Sequence, residues 1–152
     1  MRERYKKIRL LTSPRSVEED SVLICRKVFR EIDWSKVKKC CAYSPIDKLK
    51  EVGIRPLIET IAYKYPDIKI TVLAPSKAQK VPRIKFDLII VPMLAFDKDN
   101  YRLGFGGGFY DRFLARQPQA LKIGVCFHNG FVKKGLSHEA HDVPLDKIIT
   151  EV

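Results

Sequence analysis

The chain has 152 residues, 45% of them hydrophobic and 31% charged, with a formal net charge of +11. That length suits one domain burying roughly 70% of its unfolded surface, and the balance of apolar and charged residues excludes a disordered chain. No apolar run is long enough for a membrane span and the amino end lacks a signal peptide's apolar stretch, so a cytoplasmic location is expected.

In chain order, Ser16-Val-Glu-Glu19 reads as a capping box opening a helix, with Val17, Ile24, Val28, Phe29 and Ile32 near helical spacing. Residues 37–43 read as a short strand ended by Ser44-Pro45, and a loop leads to a second helix over about 54–64. Residues 68–74 form a β-branched run stopped at Pro75, another strand. The basic, polar stretch 76–85 reads as a linking loop. Residues 86–91 are nearly all apolar, as a strand buried on both faces requires. A glycine-rich loop precedes a helix over about 109–116, then a strand at 121–127, and 147–151 can add a short last strand. Strands alternating with helices predict βαβ units and a parallel sheet covered on both sides. Ligands in such folds sit beyond the carboxyl ends of the strands, which gathers the loops 43–51, 92–108 and 127–142 on one rim.

The basic residues lie in Lys6-Lys7, Lys38-Lys39, the stretch 77–85 and Lys133-Lys134, without interleaved aromatics. Attraction of small polyanions, or plain solubility, is expected ahead of a nucleic-acid partner. Cys25, Cys40, Cys41 and Cys126 make no Cys-x-x-Cys pair and are expected as reduced thiols, with Cys40 and Cys41 on opposite sides of their strand. Trp34 and Phe29 read as core, and Cys126, on a buried strand, makes a poor nucleophile.

The segment Arg102-Leu-Gly-Phe-Gly-Gly-Gly-Phe-Tyr-Asp-Arg112 speaks most directly about function. It holds four of the eight glycines, at Gly104, Gly106, Gly107 and Gly108. Glycine costs backbone entropy, so such a cluster suits a loop whose bare N–H groups approach a phosphate chain, with a tight structural turn as the alternative. The loop is neither a Walker A motif nor a Rossmann fingerprint. Asp97 and Asp99 precede it and Asp111 follows it; Mg²⁺ is commonly held by one or two carboxylates plus phosphate oxygens. Alternatively, Asp111 is an acid favoured in a helix's first turn. The stretch His138-Glu139-Ala140-His141-Asp142 is not the zincin arrangement, and Pro144 breaks it early, so Asp142 facing the glycine loop is the better reading, against a solvated loop. Glu51 either holds a polar ligand group or is an exposed helix-start acid, which its position alone favours.

Together these residues resemble the 5-formyltetrahydrofolate cyclo-ligase family. The densest likeness runs over 87–114, Asp-Leu-Ile-Ile-Val-Pro-Met-Leu-Ala-Phe-Asp followed by Tyr-Arg-Leu-Gly-Phe-Gly-Gly-Gly-Phe-Tyr-Asp-Arg-Phe-Leu. Ile123-Gly124-Val125 with Phe127, His141-Asp142 before Leu145-Asp146, the closing Ile-Ile-Thr-Glu, and Tyr43 with Glu51-Val52 extend it. The resemblance implies a three-layer α/β/α sandwich of the CoA-transferase-like kind with a mostly parallel central sheet, in one domain over 1–152 that is shortened at 74–86. It implies a monomeric enzyme acting on small molecules, using ATP and Mg²⁺ to turn 5-formyltetrahydrofolate into 5,10-methenyltetrahydrofolate with release of ADP and phosphate. By position, Arg2, Arg102, Leu103, Gly104, Phe105, Gly106, Gly107, Gly108, Phe109 and Tyr110 would bind ATP, with Arg102 and Tyr110 catalytic. Glu51 and the loop from Phe105 to Phe109 would contact the folate, and Asp111 and Asp142 would hold Mg²⁺.

Three departures stand out. The family's amino-terminal Lys-x-x-x-Arg pair aligns its arginine with Arg2 and its lysine before residue 1; a register on Lys6 and Arg9 is spaced differently. Met93 and Tyr101 stand where the family has glycine. The stretch 74–86 is shorter and lacks a segment carrying an aromatic residue for the folate. Another ATP-dependent enzyme on the same scaffold, and a non-catalytic nucleotide- or RNA-binding module, are the rival readings.

Overall fold

Apolar runs separated by turn residues fold here into alternating helices and strands. The computed structural model describes residues 1–74 and 80–152, so the predicted linking loop at 76–85 and the shortened stretch at 74–86 lie partly outside the described residues. The elements are α1 (Arg2–Leu10), α2 (Pro14–Glu31), β1 (Lys39–Tyr43), α3 (Arg55–Lys64), β2 (Lys69–Leu73), β3 (Leu88–Pro92), β4 (Ala95–Phe96), β5 (Arg102–Leu103), α4 (Phe109–Ala115), β6 (Leu121–Val125) and β7 (Lys147–Ile149).

Five strands form one sheet in the order β2-β1-β3-β6-β7, every pairing parallel, while β4 and β5 make a small antiparallel hairpin. All five residues of the central β3 are buried, as its apolar sequence predicts. The edge strand β2 is half open to solvent. Strand alternation then sorts the side chains. Cys40, Ala42, Leu88, Ile90 and Ile123 meet α2 and α3 on one face. Cys41, Ile89 and Val91 meet Tyr110, Phe113 and Leu114 of α4 on the other. The three-layer α/β/α sandwich expected from the sequence is therefore present. Phe29 and Trp34 stack at 5.3 Å beside this core, and all four cysteines are free and buried.

Two carboxylates register the strand starts at the edge away from the carboxyl ends. Asp87 accepts from the backbone N–H groups of Lys38 and Lys39 at 2.8 and 2.9 Å. Asp146 accepts from that of Lys122 at 2.8 Å.

Three features differ from the sequence expectation. Helix α2 begins at Pro14, not at a capping box opened by Ser16. Ser13 is its cap and accepts from the Ser16 N–H at 3.1 Å, while Pro14, which has no N–H to lose, takes the first helical position. The segment before it is itself a helix, α1, hidden in the sequence by its charge. Tyr5 and Arg9 are its buried residues; Tyr5, with Ile8 partly covered, packs in the cluster of Leu94, Ala95 and Val132. The β4–β5 hairpin, two residues a strand, is too short to leave a period in the sequence. Among the described residues no helix is long and apolar enough to cross a membrane.

Phe113 is fully buried and lies edge-on to Phe86 at 5.9 Å. Phe113→Ala is expected to cost about 3–5 kcal/mol in urea denaturation, whereas Leu23→Ala, on an exposed position, stays within about 0.5 kcal/mol.

Candidate functional site

A cleft of about 660 Å³ opens where β1 and β3 end, lined by Tyr43, Pro92, the whole run 101–112 and residues of the 137–143 loop. The three loops that a parallel sheet collects on one rim all contribute to it. Arg2 reaches the cleft from α1, its Nε donating to Gly104 O at 3.1 Å. Lys6, of the alternative register, pairs instead with Glu3 at 3.1 Å. Arg9 lies beneath the rim rather than in the cleft wall. Its Nη2 donates to Met93 O at 2.7 Å and to Leu94 O at 3.2 Å, beside Cys126 Sγ at 3.4 Å.

The glycine loop is shaped by two constraints. Gly108, which caps α4, has φ +67°, a conformation that a side chain strains. A Cβ on Gly104 would stand 2.6 Å from Arg102 Nη2, so the loop backbone lies against that guanidinium. Arg102 is 7% exposed. It donates to Asp111 Oδ1 and to Pro92 O, each at 3.4 Å, and lies 5.2 Å over the Tyr110 ring. Burial lowers its pKa, and the Asp111 carboxylate opposes that shift; an arginine stays charged regardless. Its Nε and the Tyr110 hydroxyl are buried without a hydrogen-bond partner. A tyrosine phenol is protonated at neutral pH, and burial pushes that of Tyr110 further above its ordinary range, so it serves as a hydrogen-bond donor and not as a phenolate. Leaving such donors unpaired costs roughly 1–3 kcal/mol apiece. A fold keeps that arrangement where something else is to be bound.

Glu51 corrects an expectation. It is neither exposed nor in a helix's first turn: it is 6% exposed, and α3 starts only after Ile54. Its Oε2 accepts from the Ile46 N–H at 2.7 Å. Burial raises its pKa, with that hydrogen bond and the Arg9 charge opposing. Beside it the Tyr43 hydroxyl donates to Val52 O at 2.6 Å.

Asp111 lines the cleft in the first turn of α4, its side chain 44% exposed. Asp142 lines it too, 27% exposed, with Oδ2 accepting from the Glu139 N–H at 2.7 Å. Among the described residues no group of three or more His, Cys, Asp or Glu side chains is placed to hold a metal ion by itself. Two carboxylates lining one cleft are too few to hold a divalent cation alone, and could share one with the oxygens of a bound ligand. Asp99 is exposed and does not line the cleft. Asp97 is buried and spends its carboxylate on backbone, accepting from Asp99 and Tyr101 N–H at 3.0 and 3.1 Å and from Leu136 N–H at 2.8 Å. Cys126 is buried and its thiol is pushed up to about 11, mainly by burial, which removes it as a nucleophile as expected.

Sequence reasoning missed two features here. Arg9 was considered only as part of a spacing variant; the pattern Tyr5, Ile8, Arg9, at helical intervals of three and four, was the available signal. His138 was read only against metal binding, yet its ring stacks on Tyr101 at 3.6 Å.

The fold and the site define a three-layer α/β protein with a glycine-lined cleft, carrying both arginines and carboxylates, at the carboxyl edge of a parallel sheet. The model of the 5-formyltetrahydrofolate cyclo-ligase family matches residues 62–151, and the chain belongs to that family. It is 43% identical over 68 residues to a 5-formyltetrahydrofolate cyclo-ligase of Mycoplasma pneumoniae, an alignment covering 44% of this chain and 40% of that protein. For the enzyme of the same name from Mycoplasma genitalium the identity is 39% over 64 residues, covering 41% of this chain and 38% of that protein. The chain thus spans less than half the length of these curated relatives. A solved 5,10-methenyltetrahydrofolate synthetase of Mycoplasma pneumoniae superposes with a TM-score of 0.80 at 25% identity, over 99% of this chain and 96% of that one.

The raised pKa of Glu51 has a consequence for stability. The fold holds its proton more tightly than the unfolded chain, so the contribution is fully present below the ordinary carboxylate pKa and is lost as pH rises through the raised value. Glu51→Gln, which keeps an acceptor for Ile46, is expected to match the wild type near pH 4 and to be the more stable of the two at pH 7. Urea midpoints taken across that range check it; equal midpoints at pH 7 would contradict the burial argument.

Proposed function

We propose that the protein is an ATP- and Mg²⁺-dependent cyclo-ligase that converts 5-formyltetrahydrofolate to 5,10-methenyltetrahydrofolate, releasing ADP and phosphate. The observation that carries this reading is the buried Arg102, wrapped by the glycine loop, paired to Asp111 and keeping an unsatisfied Nε beside the cleft. A neutral ligand would gain little from a guanidinium already desolvated. A phosphate chain gains a charge-assisted bond in a low-dielectric site. Membership of the cyclo-ligase family and the structural likeness to a methenyltetrahydrofolate synthetase support the same conclusion.

The chemistry follows from the charges. The formyl oxygen displaces ADP from the γ-phosphoryl group, which makes that oxygen a leaving group. The neighbouring folate amine then attacks the activated carbon, and phosphate departs with the original formyl oxygen. Arg102 and Arg2 neutralise and position the phosphates, with the backbone of residues 103–109 following the chain between them. The Tyr110 hydroxyl, protonated at neutral pH and more firmly so for its burial, donates to a phosphate or formyl oxygen and cannot compete as a nucleophile. Mg²⁺ arriving with the nucleotide would supply charge neutralisation, and Asp111 and Asp142 are the residues that would hold it. Glu51, buried near the end of β1, would accept hydrogen bonds from the N–H groups of the pterin. Positioning and electrostatics are what such a transfer requires of a protein. We propose that the chain does this as a single-domain monomer acting on free small molecules.

Purified protein incubated with 5-formyltetrahydrofolate, ATP and Mg²⁺ is expected to generate methenyl product absorbance, and none without ATP. No turnover by folded protein beside an active control enzyme would sink the folate assignment. Arg102→Met is expected to lower kcat by roughly two to three orders of magnitude. Asp111→Asn is expected to raise the Mg²⁺ concentration needed for half-maximal rate by about tenfold or more; an unchanged Mg²⁺ dependence would remove Asp111 from the metal site.

A further inference from the structure

One aromatic feature of the cleft has no part in the account above. The rings of Tyr101 and His138 lie face to face, centroids 3.6 Å apart and planes 11° from parallel, and both residues line the cleft. They belong to different segments, one at the start of β5 and one in the loop before β7. A single buried carboxylate joins them: Asp97 Oδ1 accepts from the Tyr101 N–H at 3.1 Å and Oδ2 from the Leu136 N–H at 2.8 Å. His138 Nδ1 lies 3.4 Å from Leu136 O, which sets the direction of the ring. The stack is thus fixed before any ligand arrives.

Core packing does not explain the pair. His138 is exposed, and neither ring belongs to any of the three apolar clusters. The chain instead holds a flat π-surface at the rim of a polar cleft, one residue away from the buried cation Arg102. A ligand that is part planar ring and part polyanion would satisfy both features at once. Histidine and tyrosine rings are stacking platforms for nitrogen heterocycles, because every such ring has a π-face to offer.

We propose that the Tyr101–His138 stack seats the planar heteroaromatic ring system of a ligand whose charged end lies on Arg102 and the glycine loop. This rests on the reading of the cleft given above. Two ligands of the proposed reaction carry such a ring, the adenine of ATP and the pterin of the folate, and the test separates them.

Equilibrium binding of ATP, inorganic tripolyphosphate and 5-formyltetrahydrofolate is measured by calorimetry for the wild type, His138→Ala and His138→Phe. His138 is exposed, so both variants are expected to fold, which circular dichroism checks. His138→Ala is expected to weaken ATP about tenfold and to leave tripolyphosphate, which has the phosphates but no ring, unchanged; His138→Phe restores ATP to within about twofold. A loss confined to 5-formyltetrahydrofolate supports the seat and assigns it to the pterin. Equal weakening of ATP and tripolyphosphate, or unchanged affinity for both ring-bearing ligands, overturns the proposal. Wild-type protein that binds ATP and folate but makes no methenyl product overturns the proposed reaction while this comparison still stands. Wild-type protein that binds none of the three overturns both.

Discussion

The carboxyl edge of the sheet is held by one buried cation. Arg9 donates to the carbonyls of Met93 and Leu94, just beyond the end of β3, and its guanidinium sits 5.7 Å over the Phe127 ring past the end of β6. Burying an arginine costs several kcal/mol, and hydrogen bonds to a charged group return only about 1.5–3 kcal/mol each. The net stability gained is therefore small, and what the interaction supplies is geometry. It docks α1 across the strand ends and fixes the turn after β3 from which the β4–β5 hairpin departs. Arg102 opens β5, and Arg2 is carried by α1. Arg2 and Arg102, two of the arginines that line the cleft, inherit their position from the Arg9 contact. A second tie acts from the other side: Lys50 donates to Leu10 O at 2.8 Å and also to Thr12 O, fastening the end of α1 to the loop that carries Glu51.

The parts of the fold legible in the sequence were those with a strong period. The apolar run of β3, the β-branched run of β2 and the amphipathic α2 and α3 all declared themselves, and their alternation was enough to imply a parallel sheet and a functional rim. The glycine loop was equally clear, because clustered glycines need a physical reason. What stayed hidden lacked a period or broke one. Helix α1 buries a cation where a sequence pattern calls for an apolar residue, so its strongest contact reads as surface charge. The first turn of α2 was placed three residues late because Ser16 and Glu19 imitate a capping box, while Ser13 supplies the cap and Pro14 the first helical position. Glu51 was misjudged for the same kind of reason: nothing local in the sequence announces that a carboxylate will be closed in by a loop returning over it.

Candidate site residues divide along similar lines. Arg102, Tyr110 and Asp111 sit within one helical turn or hairpin of the glycine loop, so a local motif could name them together. Asp142 comes from a loop thirty-one residues away from Asp111, and only the parallel topology, which stacks all carboxyl-end loops on one rim, brings it to the same cleft. The Tyr101–His138 stack needed still more. It depends on Asp97 bridging two loops by backbone hydrogen bonds, a contact that leaves no trace in composition or spacing.

The cleft also costs the fold stability in a way that argues for use. It contains an arginine Nε and a tyrosine hydroxyl without partners and a glutamate whose ionisation is opposed by burial. Each could be relieved cheaply: a leucine for Tyr110, a glutamine for Glu51, an apolar side chain for Arg102. Among the described residues, buried polar side chains elsewhere find partners, apart from Arg9 Nε. Gln117 accepts from the Phe86 N–H and donates to Ile84 O, and Lys122 donates to the carbonyls of Gln117 and Ala120. Among the described residues the unsatisfied side-chain groups other than Arg9 Nε therefore belong to residues that line the cleft. Their signs are informative as well, since unpaired donors on cationic or neutral groups call for an acceptor-rich anion. A phosphate chain has the charge and the lone pairs to meet them, whereas a solvent-filled cleft meets the hydrogen bonds but leaves the buried charge of Arg102 dependent on Asp111 alone.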